Sequence, residues 1–201
     1  MKIGVLALQG AFREHRQMLE QCGADVIEVR KPEDVEQIDG LIIPGGESTT
    51  IGKLLVEWGL AERVKARAQQ GMPIFGTCAG LIVVAKEIIG YAAQPRLGLI
   101  DIAAQRNAYG RQVDSFEHEF TIPELGDMPF KAVFIRAPYI DSYEPSVQVL
   151  AEHEGKVIFA RQKNILVASF HPELTGDDRI HRYFLKMVQD SAKKDAKDKR
   201  A

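Results

Sequence analysis

Short, unbroken apolar runs alternating with helix-length amphipathic stretches fill the first half of this 201-residue chain, and they constrain its fold more than any other feature. Ile3-Gly4-Val5-Leu6-Ala7-Leu8 and Leu41-Ile42-Ile43 contain no polar residue. A strand with one solvated face would alternate apolar with polar, so strands apolar on both faces belong in a parallel sheet covered by helices on either side. The pattern predicts strand over residues 2–8, helix over 11–22, strands over 25–29 and 40–43, helix over 51–70 with a break near Gly59, and strand over 73–76. A helix over 79–89 follows. Beyond it the rhythm shortens, and residues 97–105, 112–122, 131–135, 147–152 and 156–161 read as brief, partly antiparallel strands joined by turns. Residues 164–170 return to a buried strand, and 177–189 form a closing helix. The expectation is a single α/β domain: a mostly parallel sheet flanked by helices, with an added antiparallel strand region.

Composition sets the outer bounds. With 45% hydrophobic and 27% charged residues, the chain suits one compact domain with an ordinary core. A formal net charge of −2 gives no global electrostatic case for nucleic acid or an anionic membrane, so a small molecule or a protein is the expected partner. The first residues read directly as a strand rather than a leader, and no apolar run is long enough to span a bilayer, which together predict a cytoplasmic protein. In a reducing compartment Cys22 and Cys78 are expected as free thiols, Cys22 packing at the end of an amphipathic helix. Residues 193–201 are strongly charged without apolar anchors, so the domain is assigned to residues 1–190 and a frayed tail to 191–201.

Three turns that follow predicted strands carry chemistry-bearing residues. Phe75-Gly76-Thr77-Cys78-Ala79-Gly80 sets a thiol between glycines at a strand-to-helix junction, the layout of a nucleophile elbow. The glycines remove Cβ atoms that would clash in so sharp a turn, and a helix N-terminus beneath the sulfur favours thiolate. Pro44-Gly45-Gly46-Glu47-Ser48 offers a Gly-Gly pair whose amides can face a substrate, and the N–H groups of Gly46 and Ala79 are candidate oxyanion donors. His171-Pro172-Glu173 supplies an imidazole to take and return a proton, with a carboxylate to orient it. Ligands of open parallel sheets collect at the carboxyl ends of the strands, so the three turns together predict a hydrolytic thiol site with Cys78, His171 and Glu173. Taken singly, each turn has a plainer reading: a core cysteine, a strand-to-helix turn capped by Ser48, Thr49 or Thr50, and a surface His-Pro turn. His15, His118, His153 and His181 lack zinc-ligand spacing and read as surface or satisfied core residues. Neither a Gly-x-Gly-x-x-Gly nor a Walker-type loop is present, so no nucleotide site is indicated.

These motifs resemble those of the class I glutamine amidotransferases, whose glutaminase domains carry a Cys elbow, a Gly-Gly oxyanion turn and a His-Pro-Glu segment. More narrowly, Val5-Leu6-Ala7-Leu8-Gln9-Gly10-Ala11, Pro44-Gly45-Gly46-Glu47-Ser48-Thr49-Thr50, Phe75-Gly76-Thr77-Cys78-Ala79-Gly80-Leu81, Gly110-Arg111-Gln112-Val113-Asp114-Ser115-Phe116 and Ser169-Phe170-His171-Pro172-Glu173-Leu174 are similar to glutaminase subunits that serve pyridoxal 5′-phosphate synthesis. The likeness covers roughly residues 2–188. It implies hydrolysis of L-glutamine without metal or organic cofactor, with Cys78 as nucleophile and His171 and Glu173 completing the triad. It implies a glutamine site lined by Gly46, Glu47, Ser48, Arg106, Ile135 and Arg136. A guanidinium can clamp the α-carboxylate of free glutamine, whereas composition alone reads Arg106 and Arg136 as ordinary ion-pair residues. The implied partner is a separate synthase subunit, resembling a TIM-barrel enzyme, that receives the ammonia and whose docking raises the hydrolytic rate. Other readings stay open on sequence: a glutaminase for a different acceptor, a peptidase or DJ-1-like thiol hydrolase, or a binding module whose cysteine is structural.

Overall fold

The structure is a computed structural model that describes residues 1–106 and 115–198, with the backbone alone over 195–198. Residues 110–114 of the fourth motif, the first residues of the strand expected over 112–122, and residues 199–201 of the tail lie outside the described residues. In chain order the elements are β1 (Lys2–Leu6), α1 (Phe12–Gln21), β2 (Asp25–Val29), α2 (Pro32–Val35), β3 (Gly40–Ile43), α3 (Ser48–Glu57), α4 (Leu60–Gln69), β4 (Ile74–Thr77), α5 (Ala79–Val84) and β5 (Ala85–Ile88). There follow β6 (Ile100–Gln105), β7 (Ser115–Phe120), β8 (Phe130–Ile135), β9 (Tyr139–Tyr143), β10 (Gln148–His153), β11 (Lys156–Gln162), β12 (Ile165–Ala168) and α6 (Arg179–Asp198).

Among the described residues, ten strands form one sheet with the path β2-β1-β3-β4-β12-β11-β9-β6-β5, β10 pairing on β11, while β7 and β8 form a separate antiparallel pair. The run β2-β1-β3-β4-β12 is parallel throughout. The strands from β11 to β6 pair antiparallel, as the shorter strands of the sequence suggest. Alternation along each strand feeds two cores. Leu41, Ile43, Ile74, Ile165 and Val167 pack toward the face covered by α3, α4 and α5, where Ile51, Leu55, Val64 and Leu81 meet them. Ile3, Val5, Ile42, Phe75 and Leu166 pack toward the opposite face with Leu19, Ile180, Phe184 and Val188 from α1 and α6 and the aromatic residues Phe130 and Phe134 of β8. Burial on both faces is why these strands carry apolar side chains at every position.

Four elements differ from expectation, one of them the single-turn helix α2, which no sequence pattern announced. The helix predicted over 79–89 stops at Val84: Ala85 turns extended (φ −61°, ψ 148°) and β5 pairs parallel with β6. A bulge between Ala85 and Glu87 leaves Lys86 and Glu87 exposed in succession between buried Ala85 and Ile88, a spacing that imitates a helix. Strand β9 escapes sequence detection because only Ile140 of its five residues is buried. Helix α6 continues through Asp198 instead of ending at residue 189, so residues 191–198 of the expected tail belong to it. Ser191 Oγ donates to the Gly71 carbonyl at 3.0 Å, and Lys193 pairs with Asp190 one turn earlier at 3.8 Å. The break near Gly59 is present, Gly59 taking a left-handed conformation (φ 71°) between α3 and α4.

Candidate active site

Neighbouring strands bring the three turns together. In the parallel run, β3 lies beside β4 and β4 beside β12, with Ile43 opposite Gly76 and Thr77 opposite Ala168. Their carboxyl ends therefore open on one edge. The turn after β3, the elbow after β4 and the His-Pro-Glu segment after β12 meet there around a cavity of ≈ 330 Å³. Gln9, Gly46, Glu47, Ser48, Cys78, Ala79, Ile82, Arg106, Ile135, Arg136 and His171 line it.

Cys78 sits at the tip of the elbow with φ 49° and ψ −105°, a backbone shape that few residues other than glycine adopt. Tight neighbours impose it. A Cβ on Gly76 would stand 2.7 Å from the Gly80 carbonyl, and one on Gly80 would collide with the Ile43 carbonyl oxygen. The Cys78 N–H donates to Ala168 O at 2.8 Å, tying the elbow to β12, and its thiol faces the Ile135 carbonyl at 3.9 Å. Ala79 opens α5, so its N–H belongs to the first turn of a helix, where amides lack intrahelical acceptors.

His171 is the second part. Its N–H donates to Val133 O at 2.8 Å, which fixes the loop against β8. Its ring Nδ1 lies 2.7 Å from Glu173 Oε1, and Pro172 begins the short 3₁₀ turn that returns the carboxylate to the imidazole. A Cβ on Gly45 would overlap His171 Cε1 and stand 3.3 Å from Cys78 Cβ, so thiol and imidazole are neighbours across a glycine. Burial alone would depress His171, yet hydrogen bonding to Cys78 and Glu173 and their negative charge prevail and raise it to about 10. Glu173 is almost fully buried; that burial favours its neutral form, but His15 and His171 outweigh it and hold the carboxyl below its ordinary range. Cys78 and His171, 8% and 7% exposed, still both reach the cavity, so the thiol is accessible.

The other side of the cavity is polar. Glu47 caps α3, accepting from Thr50 N at 2.8 Å, Thr50 Oγ1 at 3.0 Å and Thr49 Oγ1 at 2.6 Å. Partial burial works against its charge, but these donors win and hold it at about 2. Arg106 lies with its guanidinium 4.4 Å from the Tyr91 ring centroid, donates to Gln94 Oε1 at 2.8 Å and approaches Glu47 at 3.5 Å. Gln94, buried, in turn donates to Ser48 Oγ at 3.1 Å. Arg136, exposed, follows β8 with φ 43°. Every residue expected at the site is thus brought to one place, except that Glu173 stands behind His171 rather than in the cavity wall.

Several participants had no individual role assigned from the sequence. Gln9, after β1, accepts the Glu47 N–H at 2.7 Å. Gly45, Thr77 and Gln94 act through non-local contacts: Thr77 Oγ1 accepts the Gly45 N–H at 3.1 Å. His15 and His181, expected as surface or satisfied core residues, are fully buried beside Glu173. Among the described residues, no cluster of His, Cys, Asp or Glu has the arrangement of a metal site.

The SNO glutamine amidotransferase family matches residues 5–190. A pyridoxal 5′-phosphate synthase subunit PdxT of Pelotomaculum thermopropionicum is 62% identical over 185 residues, covering 92% of this chain and 94% of that protein. The protein of the same name from Carboxydothermus hydrogenoformans is 60% identical over 188 residues, covering 94% and 98%. A solved structure titled as a glutamine amidotransferase superposes with a TM-score of 0.89 at 50% identity, covering 93% of this chain and 98% of its own. The structure of PurLQS from Thermotoga maritima shares the fold at a TM-score of 0.66 and 15% identity, covering 93% of this chain and 98% of the matched one.

Proposed function

The chain belongs to the SNO glutamine amidotransferase family, and from that membership we propose that it is the glutaminase subunit of a pyridoxal 5′-phosphate synthase, hydrolysing L-glutamine to L-glutamate and ammonia at Cys78. The observation that carries the reading is a thiol and an imidazole at the wall of a cavity of ≈ 330 Å³, with a buried carboxylate held on the imidazole from behind. That volume is at the small end for ligand pockets and suits one free amino acid.

With Nδ1 of His171 held by Glu173, Nε2 is left for the sulfur. A value near 10 keeps the imidazole charged at neutral pH, with a proton to give to a leaving group. The sulfur attacks the side-chain amide carbon of glutamine, and the N–H groups of Gly46 and Ala79 receive the oxyanion. His171 protonates the departing nitrogen, a γ-glutamyl thioester remains on Cys78, and water deprotonated by His171 releases glutamate. Arg106 and Arg136 offer charge to the α-carboxylate, ionised Glu47 suits the α-ammonium group, and Ser48 and Ile135 complete the walls.

Residues 1–190 make up the hydrolytic domain in this reading. The ammonia passes to a synthase subunit of TIM-barrel type in the cytoplasm, and the names of the relatives support a paired synthase. No helix among the described residues is long and apolar enough to cross a membrane. The test is ammonia release from glutamine by the native chain and by Cys78→Ala, with and without the synthase subunit. Release should require the thiol and rise with the partner; a Cys78→Ala variant that keeps more than about a tenth of the activity would refute covalent catalysis at this residue.

A further inference from the structure

Behind the triad, Glu173 meets a second imidazole that the hydrolysis does not consume. His15, on α1, is fully buried; its Nε2 lies 3.0 Å from Thr77 Oγ1 and 3.3 Å from Glu173 Oε2, and its Nδ1 lies 3.0 Å from Nε2 of the equally buried His181 on α6. Glu173 Oε1 is taken by His171 at 2.7 Å. Oε2 has no well-aligned hydrogen bond among the described residues, and His15 Nε2 is the group that faces it, slightly off line because Thr77 shares the same proton. None of His15, Thr77, Glu173 and His181 lines the substrate cavity.

The protons in this row can be assigned from the network. Burial keeps both imidazoles neutral: it lowers His15 despite the pull of Glu173, and lowers His181, with help from His15, to about 3. Two neutral rings 3.0 Å apart share one hydrogen. If His181 Nε2–H donates to His15 Nδ1, then His15 carries its proton on Nε2, directed at Glu173 and Thr77, and His181 Nδ1 is a bare lone pair. That nitrogen is the atom of the row without a partner among the described residues. The opposite assignment would bury an N–H without an acceptor and turn a ring lone pair toward a carboxylate, which costs more than the single unpaired ring acceptor left on His181. Thr77 carries the link onward, since its Oγ1 accepts the N–H of Gly45, the residue wedged against His171 and Cys78.

The geometry points to His15 as a positioning residue for the hydrolysis, its Nε2–H holding Glu173 on His171 from behind while bracing the Gly45-Gly46 turn through Thr77. The inference rests on the proposed glutaminase reading. His15 therefore joins the acid–base half of the site to its oxyanion half, and its loss disturbs turnover more than glutamine binding.

The test uses the chain together with its synthase subunit, comparing native, Cys78→Ala, His15→Phe and His15→Gln for kcat, KM, pH profile and thermal unfolding. Native and Cys78→Ala report on the hydrolase reading itself, so its failure is distinguished from failure at His15. His15→Phe should lose about 10²-fold in kcat with KM within about threefold. The groups facing Glu173 are His171 and His15, with Glu14 and His181 bearing on His15. Loss of the His15 donor should make Glu173 easier to protonate and move the acid limb of kcat/KM upward by about one pH unit. His15→Gln, whose amide N–H can replace Nε2–H, should recover most of the turnover and return the limb toward its native position. A folded His15→Phe with kcat within about threefold of native, or equal losses in Phe and Gln with the acid limb unmoved, overturns the proposal. Where His15→Phe does not fold, Thr77→Val decides: removing the hydroxyl between His15 and Gly45 should lower kcat about tenfold, and unchanged kcat is equally fatal.

Discussion

A single methyl group at Gly45 tests whether the thiol and the imidazole depend on the close approach seen across that residue. Gly45 is not in the left-handed region, so alanine fits its backbone and the effect of Gly45→Ala is steric. The added Cβ would overlap His171 Cε1, stand 3.0 Å from Nδ1 and reach within 3.3 Å of Cys78 Cβ, where carbon atoms settle at about 3.5–4.0 Å. The imidazole must retreat by about 1 Å, and Glu173, fully buried behind it and bonded at 2.7 Å, has little room to follow. A displacement of about 1 Å costs about 10²-fold in rate, or about 3 kcal/mol of barrier. Overpacking costs about 1–3 kcal/mol of stability, a fall of several degrees in Tm for a chain of this size. Three measurements separate these effects: ammonia release with the synthase subunit, the rate at which a diazoketone analogue of glutamine alkylates Cys78, and thermal unfolding. Gly23→Ala is the control, because Gly23 has φ 80° and nothing within 4 Å of its missing Cβ. It should lose about 1–2 kcal/mol through backbone strain and keep its alkylation rate. Gly45→Ala with a native melt and alkylation within about threefold of native would mean that the thiol and imidazole do not act across this contact.

Other substitutions address the remaining parts of the site. Glu47→Ala removes the α3 cap and should cost about 1 kcal/mol at neutral pH by urea titration, discounted because the side chain is half exposed. The folded value of Glu47 lies below its ordinary 4.5, so its contribution is complete above that pH; the difference between native and variant should fade as pH falls toward about 2. His181, ordinarily near 6.5 and held at about 3, contributes stability above 6.5 that is lost as pH falls toward 3. His181→Leu should therefore flatten the acid side of the stability profile, by about 1.4 kcal/mol per pH unit for one proton, as followed by denaturation between those values. Gln94→Ala unties Ser48 from Arg106 and should raise KM for glutamine about tenfold with kcat nearly unchanged in steady-state assays.

What the sequence displays and what it hides divide along a physical line. Continuous apolar strands, a glycine-flanked thiol and a His-Pro-Glu segment are local patterns, and β3, β4 and β12 lie side by side with their turns on one edge, as those patterns imply. Arg106 and Arg136 could be placed only by resemblance, because a lone arginine looks alike in a surface pair and in a substrate clamp. Gln9 and Thr77 stand inside the quoted motifs with no role of their own, and Gln94 and His15 left no signal of one. Each acts through a hydrogen bond to a residue far away in the chain, such as Gln9 to Glu47 or His15 to Thr77. Strand β5 failed for the opposite reason: its bulge writes a helical spacing into a strand, and only pairing with β6 resolves the ambiguity.

Strain in the site follows the same logic. Cys78 at φ 49° and Arg136 at φ 43° are two of the non-glycine residues with positive φ among those described, and both line the cavity. Such backbone costs about 1–3 kcal/mol each and persists only where neighbours over-determine it. For Cys78 those neighbours are Ala168, which accepts its N–H, and the packed glycines of the elbow; for both residues, Ile135 lies between, its carbonyl facing the Cys78 sulfur one peptide before Arg136. The peptide joining Ile135 to Arg136 thus carries both the carbonyl that faces the thiol and the start of the strained arginine backbone, so one unit at the end of β8 shapes that side of the cavity.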